Sequence, residues 1–85
     1  MYDIEFTKQA LKDLQRIPRN YTVAIFEKIK KLSVNPYNEE LDIKKLKGVP
    51  GYRLRVGEYR VVYEIEAKKL VINIIKIQSR GNVYG

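Results

Sequence analysis

Three arginines, Arg53, Arg55 and Arg60, interrupt the stretch YRLRVGEYRVVYEI, residues 52–65, which otherwise reads as the inside of a β-sheet. A guanidinium group is planar, permanently charged and able to fork onto two phosphate oxygens at once. Arginines gathered on one surface can therefore hold a phosphate and stabilise charge that builds up on it. The alternative is a solvated sheet face on which Glu58, Glu64 or Glu66 neutralises them, and the residue types alone leave both readings open. Other chemistry is excluded more firmly. With no histidine and no cysteine, the chain has no imidazole for acid–base work, no thiol nucleophile, no disulfide and no Cys/His zinc site.

The arginines share a face only if the strands carrying them pair in the right register. In VGEY, Gly57 comes first in a two-residue connection, the form of a type II′ hairpin turn that pairs Val56 with Tyr59. Counting outward sets Arg55 opposite Arg60, Leu54 opposite Val61, Arg53 opposite Val62 and Tyr52 opposite Tyr63. Alternation then collects Tyr52, Leu54, Val56, Tyr59, Val61, Tyr63 and Ile65 on a core face and the three arginines on the other. A like-charge pair placed directly across two strands, such as Arg55 and Arg60, costs about 0.2–1 kcal/mol.

The surrounding elements follow from changes of period. Tyr2, Ile4 and Phe6 alternate with Asp3 and Glu5 as a half-buried strand. Thr7 is the expected N-cap of a helix whose stripe is Ala10, Leu11, Leu14 and Ile17, stopped by Pro18. A second helix over about 20–32 carries Tyr21, Ala24, Ile25, Ile29 and Leu32 on one side, and the turn NPYNEE closes it. Residues 39–51 read as a loop returning to the sheet, and their cations Lys44, Lys45 and Lys47 as a solvated surface, with Lys45 and Lys47 retained as candidate phosphate contacts. The last strand, from Leu70 to about Ser79, is apolar on both faces. That suits a central position and leaves its register open. It delivers the terminal SRGNVYG beside its partner, which would bring Arg80 and Tyr84 toward the arginine face; taken alone, Tyr84 reads as a surface or packing residue. The expectation is one small α+β domain over residues 1–85, in the order β-α-α-β-β-β, with a helical hairpin packed on a mainly antiparallel sheet.

Composition sets the partners. Seventeen Lys+Arg against ten Asp+Glu give a net charge of +7, which attracts polyanions or an acidic protein. With 45% hydrophobic residues the chain is too apolar to stay disordered. The N-terminus lacks an apolar signal-peptide core, and no run approaches the ~18 apolar residues of a membrane span, so the expected location is the cytoplasm, away from membranes.

The run LKGVPGYRLRVGEYRVVYEI, followed by an apolar strand and SRGNVY, resembles the RelE branch of the RelE/ParE toxin superfamily, over essentially the whole chain. The resemblance implies a compact α/β toxin of a toxin–antitoxin pair that enters the ribosomal A site, cleaves mRNA there without a metal or other cofactor, and is silenced by a cognate acidic antitoxin. It assigns phosphate contacts to Arg53 and Arg55 and catalytic roles to Arg60, Arg80 and Tyr84. Ser79 stands where many relatives have a histidine, and arginines stand at 53 and 55 where some have lysines.

For RNA to be cut by its own 2′-hydroxyl, that hydroxyl must lose its proton, charge on the phosphorane must be stabilised, and the leaving 5′-oxygen must be neutralised. Arginine is not a base, so Arg53 and Arg55 serve the second need, and Tyr84 is the expected base. Its phenol, near ~10 by default, would be lowered by neighbouring guanidinium charge. Two other classes share the charge and fold. A ParE-like gyrase inhibitor would act by protein contact, and a plain nucleic-acid-binding module would place stacking aromatics on the basic face, where this register puts none.

Overall fold

Residues 1–79 are described by the computed structural model, and they form two helices and five strands. The elements are β1 (Asp3–Phe6), α1 (Lys8–Arg16), α2 (Arg19–Val34), β2 (Asp42–Lys45), β3 (Tyr52–Val56), β4 (Tyr59–Glu66) and β5 (Val71–Ser79). They build one five-stranded sheet in the order β1-β5-β4-β3-β2. β1 runs parallel to β5, and every other pair is antiparallel.

Thr7 caps α1 as its sequence predicts, accepting from the Ala10 N–H at 3.1 Å, and its hydroxyl also donates to the Ile75 carbonyl of β5. β1 covers β5 only from Val71 to Ile74. Beyond that point the Asp13 carboxylate of α1 accepts from the Ile77 N–H at 2.9 Å. A backbone donor that would otherwise be left at the sheet edge thus gains a charged acceptor, and α1 is fastened to β5. Pro18 separates the helices, and α2 runs two residues past the expected end.

Both helices lie on one face. Ala10, Ile25, Ile29 and Leu32 pack with Leu54, Val56, Val61, Tyr63, Ile72, Ile74 and Ile77 in a single core, flanked by Tyr52, Tyr59 and Ile65. The helical stripes are narrower than their sequence suggests. Leu11, Tyr21 and Ala24 are exposed, although the Tyr21 ring still lies 5.3 Å from that of Tyr59.

Two expectations need correction. Residues 39–51 are not all loop: Asp42–Lys45 pairs with β3 and forms the sheet edge, because Ile43, opposite Leu54, gives this short strand one apolar anchor against the core. β5 is flanked on both sides, as expected of a central strand, but its apparent two-sided apolarity comes from a bulge. Val62 pairs with Lys76 and Tyr63 with Ile74, so Ile75 is the extra residue, and it shifts the alternation by one.

Tyr63 is fully buried, its ring stacked on Tyr52 at 5.6 Å, and its hydroxyl has no hydrogen-bond partner among the described residues. Burial pushes the phenol well above its ordinary value, with Tyr52 and Tyr37 adding to the shift. A raised acid keeps its full stabilising contribution below the unfolded value near ~10, and loses it as pH climbs from there toward the folded value. Tyr63→Phe is therefore expected to match or exceed the parent's stability, by up to about 1 kcal/mol. It should also flatten the decline above pH ~10. Denaturant melts at neutral and alkaline pH check both; a loss of several kcal/mol would mean the hydroxyl is bonded.

Candidate nucleic-acid interface

Because the helices cover one face, alternation along each strand delivers the other side chains to the open face. The hairpin register is the expected one, Val56 opposite Tyr59 and Arg55 opposite Arg60. Gly57 at φ 59° takes the left-handed turn position, while Glu58 does not, which matches a type II′ turn. Strand pairing arranges the open face in rows that cross the sheet. The first row is Asp42, Arg55, Arg60 and Gln78; the second is Lys44, Arg53, Val62 and Lys76. The third holds Glu64, Asn73 and Glu5, and the fourth Glu66, Val71 and Asp3. Charge is thus segregated along the strand axis, with five cations and one carboxylate in the first two rows and only carboxylates as charged groups in the last two.

Arg53 differs from the other cations. It is 8% exposed, and its Nη1 donates to Asp42 Oδ1 at 3.2 Å, a diagonal pair across β2 and β3. The neutralising partner is this aspartate, not Glu58, Glu64 or Glu66. Glu66 is occupied elsewhere: it accepts from Asn73 at 2.7 Å and pairs with Lys69 at 3.6 Å, which together hold its carboxyl below the usual range. Among the described residues, Lys44, Arg55, Arg60 and Lys76 are exposed and form no ion pair.

Arg53, Arg55 and Arg60 are therefore gathered as their sequence predicts. Lys45 is not with them. It pairs with Tyr52 on the side of β2 that Ile43 turns to the core, while Lys47 lies in the following loop. Lys44 and Lys76 join the arginines instead. The first was concealed in a stretch that reads as loop, and the second became assignable only through the bulge at Ile75. Arg80 and Tyr84 lie outside the described residues; the strand that leads to them ends at Ser79, opposite Tyr59 and next to the Arg60–Gln78 pair.

Such a face can bind successive phosphates and stabilise charge developing on one of them, since its guanidinium groups are held by strands and need little reorganisation. A cavity of about 370 Å³ lies away from it on α2, lined by Glu27, Lys30, Lys31, Val34 and Asn38.

Residues 4–84 match the family model described as the ParE toxin of the type II toxin–antitoxin system parDE. A Methanocaldococcus jannaschii protein bearing the name RelE1 is 38% identical, over 98% of this chain and 94% of the relative. The mRNA interferase toxin RelE of Escherichia coli K12 is 26% identical, over 98% of this chain and 90% of that protein. Among solved structures, a chain of the archaeal RelE–RelB complex from Pyrococcus horikoshii OT3 superposes with a TM-score of 0.79 at 36% identity, over 94% of this chain and 96% of that one.

The two kinds of cation predict opposite responses. Asp42→Ala leaves the largely buried Arg53 unpaired and is expected to lower stability by about 1–2 kcal/mol, the exposed side of the pair limiting the loss. Arg55→Gln relieves a repulsion and should leave stability unchanged or raise it by up to about 1 kcal/mol. Thermal melts of both variants test this; a destabilised Arg55→Gln would make that arginine a structural residue.

Proposed function

Because the chain belongs to the RelE/ParE toxin superfamily, on its RelE-like side, we propose that it is a ribosome-dependent mRNA endonuclease that stops translation until a cognate antitoxin neutralises it. The observation that carries this reading is the pair of cationic rows on a sheet face left free of helices. The named activity of the Escherichia coli relative supports RNA as the substrate, and the RelE–RelB complex supports an antitoxin as the partner. With a net charge of +7, that antitoxin meets this chain through an acidic segment, whose carboxylates compete for the cations that take phosphate.

In the proposed reaction the RNA supplies its own nucleophile, and no metal is needed. The 2′-hydroxyl gives its proton to the Tyr84 phenolate and its oxygen attacks the adjacent phosphorus. The bond to the 5′-oxygen breaks, leaving a 2′,3′-cyclic phosphate and a 5′-oxygen that takes a proton from solvent water to become the 5′-hydroxyl, while Tyr84 returns its proton to solvent. Arg55 and Arg60 stabilise the phosphorane, Arg53 holds a neighbouring phosphate from its fixed position, and Arg80 neutralises the leaving oxygen.

One specific observation favours a second reading. The matching family model is described as the ParE toxin of parDE, so inhibition of DNA gyrase by protein contact stands beside RNA cleavage. Purified protein incubated with programmed ribosomes, free RNA, and gyrase with plasmid separates the two. The expected result is cleavage of ribosome-bound message with gyrase unaffected; trapped gyrase and intact message would reverse the assignment. On the cleaved substrate, single-turnover rates should rise with pH through the neutral range. Tyr84→Phe should lose at least about a hundredfold in rate while keeping ribosome affinity, the loss expected for a missing general base. Cleavage by the Phe variant within a fewfold of the parent would remove Tyr84 from the mechanism.

A further inference from the structure

The charge pattern of the open face fixes a direction as well as a sign. A polyanion lying along β4 would start over Arg60 and run onto Glu64 and Glu66; one lying along β5 would leave Lys76 for Asn73, with Glu5 beside it. A polyanion crossing the strands within the first two rows meets Lys44, Arg53, Arg55, Arg60 and Lys76, with Asp42 already engaged by Arg53. We infer that single-stranded RNA crosses the sheet roughly at right angles to its strands, with Lys44 on β2 and Lys76 on β5 as phosphate contacts at the two ends, and with Glu5, Glu64, Glu66 and Asp3 closing the other half.

This path rests on the RNA-cleaving reading above and adds to it two contact residues and a boundary. Lys44 and Lys76 are separated by three interstrand spacings, about 14 Å. At roughly 3.4 Å per nucleotide of a stacked strand, the path spans about four phosphates, with the arginines beneath the middle ones. Both lysines are exposed and free of ion pairs among the described residues, so their charge is available to a ligand. The fence is partly fixed: Asn73 and Lys69 hold Glu66 on its side of the sheet.

The test uses a fluorescent 12-nucleotide RNA, 2′-O-methylated throughout so that it cannot be cut, and follows anisotropy over a salt series starting near about 20 mM. Lys44→Gln and Lys76→Gln are each expected to weaken binding about fivefold at low salt and to reduce the slope of log K against log salt by about 0.7, the share of one single-strand phosphate. Lys31→Gln on α2 and Lys45→Gln on the other side of β2 are the charge-matched controls and should change affinity by less than about twofold, while Glu64→Gln should tighten binding. Should both lysine variants behave like the controls while Arg55→Gln weakens binding, the crossing path is overturned and the RNA reading stands. A loss at only one lysine overturns the path as well. If Arg55→Gln is also silent, or the parent fails to bind at low salt, the path is overturned, and cleavage of ribosome-bound message decides the RNA reading separately.

Discussion

The open face depends first on which residue of β3 stands opposite which residue of β4. Gly57 in the left-handed region closes a two-residue turn there, and every pair from Val56–Tyr59 to Tyr52–Tyr63 follows from it. A slip of one residue between them would turn one strand over, exposing Leu54 and burying Arg53 and Arg55 on β3, or exposing Val61 and Tyr63 and burying Arg60 on β4. The apolar side of the hairpin, worth many times any single charge contact, thereby holds the charged side in place. Gly51 secures the other end of β3: at φ 114° with the Tyr63 carbonyl 2.9 Å from where a Cβ would stand, it admits no side chain.

Within that frame the cations divide between fold and ligand. Arg53 is buried, and its charge is acceptable there because Asp42 on the edge strand reaches it, which gives β2 an electrostatic reason to pair as well as the Ile43 contact. Arg55 and Arg60 have no such partner among the described residues, and they face each other. A sheet optimised for stability alone would place opposite charges at that pair, so the repulsion marks a surface shaped by something outside the fold. One fixed guanidinium beside several unpaired cations suits a polyanion whose backbone must be positioned and whose developing charge must be met.

The sequence made the hairpin legible because two independent signals coincide there: a glycine at the turn and alternation on both flanks. The same residues carry the family resemblance, and they contain the three arginines. β2 was illegible because Asp42–Lys45 has one apolar residue among four and stands beside Gly48, Pro50 and Gly51, so nothing local separates it from a loop. Its pairing is a tertiary effect, and the Arg53–Asp42 bridge and the placement of Lys44 were hidden with it. Lys76 was hidden by a bulge, which disrupts the alternation that strand reading uses. For the helices, periodicity found the buried stripe but overestimated its width at Leu11, Tyr21 and Ala24, since two short helices on one sheet face bury only their innermost residues.

The central claim is that the cationic half of the open sheet face is where RNA lies. The most direct measurement is a two-dimensional amide titration of the isotope-labelled protein with an uncleavable single-stranded RNA at low salt. Shifts are expected to concentrate at Lys44, Arg53, Arg55, Arg60, Val62 and Lys76, with Asp3, Glu5, Glu66 and the outer side of α2 little changed. Shifts centred on Val23, Phe26 and Val34 of α2, with the sheet face silent, would contradict it.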